Sequence, residues 1–172
     1  NNYTEYAYYL LGMNYYEKII DEKKDIEPIL KSKKYFNYLI KNYPNNDFAL
    51  DAQYKLLAIE NLLASKELYI AKYYLQKEKW IPAMNRLKTI VTEYDKTIYV
   101  EEALHRLVEV NYKVGLVEES KKYGKLLGYN YLSSSWYERS YKILNKKYLT
   151  SAEQFKKDKK NGIIKKFKKI FE

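Results

Sequence analysis

The sequence predicts an all-α protein built from helix hairpins that pack side by side. Its 172 residues include only five Gly and three Pro, and no segment shows the strict alternation of a half-buried β-strand. One apolar skeleton also occurs three times with the same internal spacing. The three copies are Tyr8-x2-Leu11-Gly12-x2-Tyr15, Glu67-x2-Ile70-Ala71-x2-Tyr74 and Leu104-x2-Leu107-Val108-x2-Asn111.

Each copy is followed by a small residue and, twelve residues after that, by a turn. The small residues are Ser32, Ala83 and Ser120, and the turns lie at Pro44, Asp95 and Leu132, each directly after a tyrosine (Tyr43, Tyr94 and Tyr131). A small residue near the start of a second helix lets two helices approach, so the pattern is that of a tetratricopeptide (helix–turn–helix) repeat. One such unit cannot bury its apolar face alone, whereas stacked units can, and their surface is suited to binding another polypeptide.

The first repeat, about residues 3–44, has eight more residues between its two helices than the other repeats. The excess contains the charged run 21–25 and Pro28. A charged run before a proline predicts an exposed loop, with Pro28 near the start of the next helix.

The second repeat, about residues 45–95, is predicted to contain one unusually long helix. No Gly or Pro interrupts Asp47 to Lys77, which predicts a helix of about thirty residues and on the order of 45 Å. Its apolar residues hold the helical period over the whole length. They are Phe48, Ala52, Leu56, Ile59, Leu63, Ile70 and Tyr74.

The third repeat, about residues 96–132, is followed by a single helix, about Ser135–Lys146, within a capping segment over residues 133–147. Three serines, 133–135, are suited to cap its first turn. The helix has no second helix of its own and is expected to cover the end of the third repeat, as repeat arrays require. The sequence thus predicts an α-solenoid of about three helix pairs plus a capping helix over residues 1–147, and a basic, partly amphipathic tail over 148–172.

The net charge of +10 does not by itself predict nucleic-acid binding. Of the 32 basic residues only three are Arg, the residue that suits bidentate base readout. Lys, Asn, Ile and Tyr are all abundant, as A/T-rich codons would produce. Half of the excess charge lies in residues 151–172. The 22 tyrosines sit at helical spacing with Leu and Ile, which favours packing over the stacking of single-stranded RNA.

Neither catalysis nor a bound metal or cofactor is expected. His105 is the only histidine, and in the sequence it has no Ser or Cys partner in a recognisable context. The acidic pairs Glu101-Glu102 and Glu118-Glu119 fall at predicted helix starts, where they complement the helix dipole. The absence of Cys excludes disulfides and thiolate metal sites. No apolar run is long enough for a spanning helix, and no signal peptide is present at the amino end of this stretch.

One run is more specific than a generic repeat. The residues Ala64-Ser65-Lys66-Glu67-x3-Ala71-Lys72-Tyr73-Tyr74, then Trp80-x2-Ala83-x-Asn85-Arg86-Leu87 and Tyr94, resemble the BamD family, the tetratricopeptide lipoproteins of the bacterial outer-membrane β-barrel assembly machinery. The segment Tyr6-Ala7-Tyr8-Tyr9-Leu10-Leu11-Gly12 is similar to the D-Y-A-x-Y-x-x-G segment of that family.

The resemblance covers about residues 3–145 and includes the extra loop and the lengthened helix. The sequence departs from the family at Glu93-Tyr94-Asp95, where the family turn ends in proline. The leading repeats, signal peptide and lipidated cysteine of the family have no counterpart here, and the chain is therefore expected to be a carboxyl-terminal part.

The resemblance implies a non-catalytic adaptor at the periplasmic face of the bacterial outer membrane, held by a lipid anchor outside this stretch. It implies binding to the periplasmic domains of the barrel-forming subunit BamA and to other assembly-complex subunits, and to unfolded outer-membrane proteins mainly through the leading repeats. The family arginine that contacts an acidic residue of the barrel subunit corresponds to Arg86, beside Asn85. From the residues alone, a surface salt bridge is the favoured explanation of Arg86.

The tail carries a short basic amphipathic pattern after Gly162. Its apolar residues share one helical face and its lysines lie mostly on the other, as in an interfacial anchor. A solvated tail, membrane contact and docking onto a partner subunit all remain open. The residues concerned are Ile163, Ile164, Lys165, Lys166, Phe167, Lys168, Lys169, Ile170 and Phe171.

Other functions are compatible with the same fold. The first alternative is a generic soluble tetratricopeptide scaffold that binds acidic peptides in a lysine-lined groove. Nucleic-acid binding is a more distant alternative, for the reasons of composition given above, and it predicts a steep dependence of affinity on salt.

Overall fold

The structure, a computed structural model, describes residues 3–19 and 25–145, which form seven α-helices and no β-strand. The chain divides into two compact units, Asn1–Ala103 and Leu104–Glu172, and the division falls within the fifth helix. The helices are α1 (Thr4–Tyr16), α2 (Glu27–Asn42), α3 (Asp47–Gln76), α4 (Trp80–Glu93), α5 (Val100–Lys113), α6 (Val117–Asn130) and α7 (Ser135–Leu144).

In the first unit the helices pack against their neighbours in chain order, α1 on α2, α2 on α3 and α3 on α4. A core of fully or almost fully buried residues joins α2 to the first half of α3, and several tyrosines pack their rings against it. Tyrosine therefore serves here as a packing residue, as its helical spacing predicted. The core residues are Ile29, Phe36, Leu39, Ala49, Ala52, Ile59 and Leu63.

The small residues predicted at the helix crossings are all fully buried. Ser32 lies in the second turn of α2 and donates a hydrogen bond of 3.0 Å to the carbonyl oxygen of Gly12 in α1. In the second unit, Ser120 of α6 donates in the same way to Val108 of α5, at 2.8 Å. Ala83 takes the corresponding place in α4. A larger side chain at any of these positions would force the two helices of the pair apart.

Three tyrosines end the second helices of the repeats with the same backbone conformation. Tyr43, Tyr94 and Tyr131 have φ/ψ of −136°/53°, −128°/39° and −139°/48°. Each donates its N–H to the carbonyl four residues earlier, and each carbonyl accepts from the N–H three residues later, at 3.0–3.1 Å. Because the backbone of the tyrosine makes the turn, the following position accepts Pro, Asp or Leu.

The long helix predicted for Asp47–Lys77 is confirmed, because α3 spans 30 residues. Asn46 caps its first turn by accepting the N–H of Phe48 at 2.8 Å. In the second unit, Ser134 caps α7 through the N–H of Trp136. This helix agrees with the predicted one as far as Leu144.

Two predicted segments lie largely or wholly outside the described residues. Most of the charged run 21–25 is one of them, although α2 does begin at Glu27 with Pro28 in its first turn. The tail 148–172 is the other, so the division into a repeat domain and a tail stays a prediction. Within the described ranges, no helix combines the length and the apolar character needed to cross a membrane.

Candidate partner-binding surface

Helix α4 carries the two residues that the sequence singled out for partner binding. Its apolar side is formed by Ala83, Leu87 and Ile90, which are buried. Asn85 and Arg86 are both exposed. Asn85 lies on the side opposite the buried residues, whereas Arg86 lies about 100° round the helix from it, on the flank that contacts α3. Ile81, one turn before Asn85, is 70% exposed. The helix thus exposes an apolar side chain and an amide on its outer side, and a guanidinium on the flank next to α3.

Arg86 is held by an ion pair within its own helix hairpin. Its Nη1 donates to both carboxylate oxygens of Glu67 on α3, at 3.2 and 3.1 Å. The Arg86 side chain is 44% exposed and that of Glu67 only 18%. Both interpretations of Arg86 made from the sequence therefore keep their basis, since it forms a salt bridge and remains accessible.

The Arg86–Glu67 pair occupies a position that is aromatic in the first repeat. Glu67 begins the second copy of the apolar skeleton, as Tyr8 begins the first, and Arg86 follows Ala83 by three residues, as Tyr35 follows Ser32. The rings of Tyr8 and Tyr35 contact each other, with centroids 6.3 Å apart. The second repeat therefore has a charged contact where the first repeat has an aromatic one.

Helix α3 carries two further ion pairs within the first unit. Glu60 pairs with Lys33 of α2 at 3.6 Å, and Lys72 pairs with Glu102 of α5 at 2.8 Å. Burial is the main reason why the pKa of Tyr94 is raised, and the charges of Glu93, Glu67 and Glu60 raise it further. Two of the four acidic residues of α3, Glu60 and Glu67, are thus matched by cations on neighbouring helices, and Asp51 accepts a hydrogen bond from the hydroxyl of Tyr9.

The second unit contains a buried polar cluster that the sequence did not reveal. His105 Nδ1 and Ser140 Oγ share a hydrogen bond of 2.8 Å, and Glu109 Oε1 lies 3.5 Å from His105 Nε2. The hydrogen bond to His105 is the main reason why the pKa of Glu109 is lowered. Trp136 packs on the imidazole, with ring centroids 5.1 Å apart.

This cluster has the residue types of a nucleophile, a base and an orienting carboxylate. Ser140 is fully buried, however, so a substrate cannot reach its hydroxyl in this conformation. The contacts fix α7 against α5 instead. His105 is a packed helix residue, 4% exposed. Its serine partner could not be recognised from the sequence, because Ser140 is 35 residues away and only the fold brings it close.

The side chain of Asn85 has no hydrogen-bond partner in the described part of the chain, and its carbonyl accepts from Thr89. The tail residues 163–171 lie outside the described residues. Within residues 3–19 and 25–145, no group of three or more His, Asp or Glu side chains is placed to bind a metal ion.

The paired helices, the buried small residues at their crossings and the shared tyrosine turns define a tetratricopeptide-like repeat protein. The predicted all-α class is confirmed in the part of the chain that the structure describes. The chain belongs to the family described as outer membrane lipoprotein (YfiO), whose model matches residues 1–126. That description places it at the outer membrane, in agreement with the predicted localisation at the periplasmic face.

Curated relatives carry one name, outer membrane protein assembly factor BamD. The chain is 39% identical to that of Rickettsia prowazekii over 139 residues, which covers 81% of this chain and 55% of the relative. For Caulobacter vibrioides the identity is 34% over 145 residues, covering 84% and 48%. For Vibrio cholerae it is 32% over 107 residues, covering 62% and 44%. The resemblance to the BamD family is thereby confirmed, and the chain spans about half the length of these relatives.

Proposed function

We propose that this chain is a non-catalytic adaptor of the outer-membrane protein assembly machinery, which binds the periplasmic domains of the barrel-forming subunit BamA through the exposed side of α4. The curated relatives are named as assembly factors, which supports the process. Unfolded outer-membrane proteins are the second class of partner, received mainly by parts of the full-length protein outside this stretch.

The observation that carries the proposed site is the accessibility of Arg86 on α4, whose outer side also exposes Asn85 and Ile81. Interface hot spots combine an apolar anchor with an arginine that is shielded from water once the partner is bound. A half-exposed ion pair contributes under about 1 kcal/mol to folding, so stability gives little reason for an arginine at this position. A carboxylate on the partner would give it one.

The test is binding of the purified chain to the purified periplasmic domains of BamA, measured by calorimetry. Arg86→Glu is expected to weaken binding by about tenfold or more, because a charge-assisted hydrogen bond becomes a repulsion. Lys34→Glu is the matched control, since this exposed lysine of α2 undergoes the same charge reversal away from α4. Equal affinity of wild type and Arg86→Glu would remove α4 as the binding site.

One observation favours the alternative, a peptide-binding scaffold. A groove of about 380 Å³ lies between α6 and α7 in the second unit, with Lys121 and Lys125 on one side and Tyr137 and Tyr141 on the other. Its lysines and aromatic rings suit an acidic peptide. Titration with a short Asp/Glu-rich peptide should then show affinity that Lys125→Glu reduces and Arg86→Glu leaves unchanged.

A further inference from the structure

We propose that Glu67 is a positioning residue for Arg86: it holds the guanidinium through Nη1 and leaves the Nε–Nη2 edge to bind a carboxylate of the partner. The inference deepens the proposed function and rests on it for the identity of the partner. The positioning itself is a property of the free chain and can be tested without any partner.

The geometry of the ion pair separates the two edges of the guanidinium. Both contacts to Glu67 come from Nη1 alone. The Nε and Nη2 atoms have no protein acceptor in the described part of the chain. Their N–H groups point in parallel, and this is the fork that binds a carboxylate with two hydrogen bonds. Glu67 therefore occupies one corner of the guanidinium without using the fork.

Burial makes Glu67 the fixed partner of the two. Its side chain is 18% exposed, whereas that of Arg86 is 44% exposed. Glu67 also lies within the second half of α3, and its charge contributes to the raised pKa of Tyr94 at the end of α4. A long arginine side chain loses rotamer freedom when it is bound. An anchor inside the protein removes part of that loss before the partner arrives.

The repeats themselves indicate that the pair is not needed to join α3 to α4. In the first repeat the two corresponding positions hold Tyr8 and Tyr35, whose rings contact each other. In the third repeat they hold Leu104 and Tyr123. Uncharged side chains thus occupy this pair of positions in the first and third repeats, and the second repeat alone places a carboxylate and a guanidinium there.

The binding test uses Glu67→Ala, Arg86→Lys, Arg86→Ala and the double variant Glu67→Ala/Arg86→Ala with the periplasmic domains of BamA. Glu67→Ala is expected to weaken binding by about fivefold, the effect of ordering one long side chain on binding. Arg86→Lys should lose most of what Arg86→Ala loses, because lysine keeps the charge but lacks the fork. In the Arg86→Ala background, Glu67→Ala should have no further effect.

Glu60→Ala is the matched control. It removes a carboxylate from the same helix two turns earlier, where it pairs with Lys33 at 3.6 Å, and it should leave binding unchanged. Unchanged or tighter binding by Glu67→Ala would overturn the positioning role, and tighter binding would mean that Glu67 competes with the partner. Wild-type affinity of Arg86→Glu would instead remove the proposed binding site.

A second measurement examines the free chain. The protein has three arginines, Arg86, Arg106 and Arg139, so a nitrogen-15 spectrum resolves few Nε–H signals. Slow rotation of the guanidinium is expected for Arg86 in the wild type and faster rotation in Glu67→Ala, with Arg106 and Arg139 unchanged. Equal rotation of Arg86 in both proteins would overturn the inference whatever the partner does.

Discussion

Glu78 and Gly115 occupy the same position in successive repeats, and both have a positive φ, of 56° and 86° respectively. Each lies four residues after the last residue of its apolar skeleton, Tyr74 or Asn111. The turn between the two helices therefore has left-handed backbone in the second and third repeats. Glycine adopts that conformation without steric cost, whereas a residue with a Cβ is strained there.

Replacing Glu78 with Gly should stabilise the protein. Relief of the backbone strain is expected to raise the free energy of unfolding by about 0.5–1 kcal/mol, after the greater flexibility of glycine in the unfolded chain is counted. Urea unfolding followed by circular dichroism would measure the change. Glu78→Ala is the control, because it removes the carboxylate but keeps the Cβ and should bring no gain.

The reciprocal substitution, Gly115→Ala, should destabilise by about 1 kcal/mol. A Cβ at Gly115 would meet no atom within 4 Å, so the loss would come from the backbone alone. A gain in stability from Gly115→Ala, or a loss from Glu78→Gly, would contradict the equivalence of the two turns.

Gly12→Ala is expected to destabilise by overpacking. A Cβ at Gly12 would lie 2.4 Å from Cε1 of Phe36, which is itself fully buried. The overpacking cost of about 1–3 kcal/mol exceeds the gain in helix propensity of about 1 kcal/mol. The change is measurable by urea unfolding. If the cause is the ring, Phe36→Leu should make the added methyl group less costly, and an equal cost in both backgrounds would exclude it.

Most of the fold could be predicted from the spacing of the repeats. Fixed offsets placed the buried small residues and the three tyrosine turns, because a repeated spacing reports a repeated backbone geometry. The absence of Gly and Pro between Asp47 and Lys77 likewise predicted α3 to within one residue of its observed end. Local pattern is enough for these features, since each depends on residues close together in the chain.

Side-chain partners across helices were harder to predict. The hydrogen bond between His105 and Ser140 joins residues 35 positions apart in different helices, and no spacing rule connects them. The pair Glu67–Arg86 did leave a signal in the sequence. Aligning the repeats on their skeletons puts these two residues where Tyr8 and Tyr35 stand in the first repeat, so two opposite charges at facing positions indicate an ion pair.

The tail offers a test that depends on the sequence alone. If the apolar face of residues 163–171 binds a membrane, deletion of residues 161–172 should lower co-sedimentation with anionic liposomes. Each lysine near such a surface contributes about 1 kcal/mol. Liposomes without anionic lipid are the control and should bind both proteins weakly. Unchanged sedimentation after the deletion would remove the membrane interpretation and leave a solvated tail or docking on a partner.

Glu109 should make stability depend on pH in the acid range. Its pKa is lowered from the usual 4.5, first by the hydrogen bond with His105 and then by the charges of His105 and Arg106. A carboxylate whose pKa is lower in the folded state stabilises the protein above about pH 4.5, and this contribution is lost as the pH falls through the folded value. Because the side chain is 40% exposed, the contribution is under about 1 kcal/mol.

Glu109→Gln should therefore be less stable than the wild type at pH 7, and urea unfolding at pH 7, 5 and 3 should show the difference shrinking towards pH 3. A difference that stays constant or grows in acid would mean that packing, and not the charge of Glu109, sets its role.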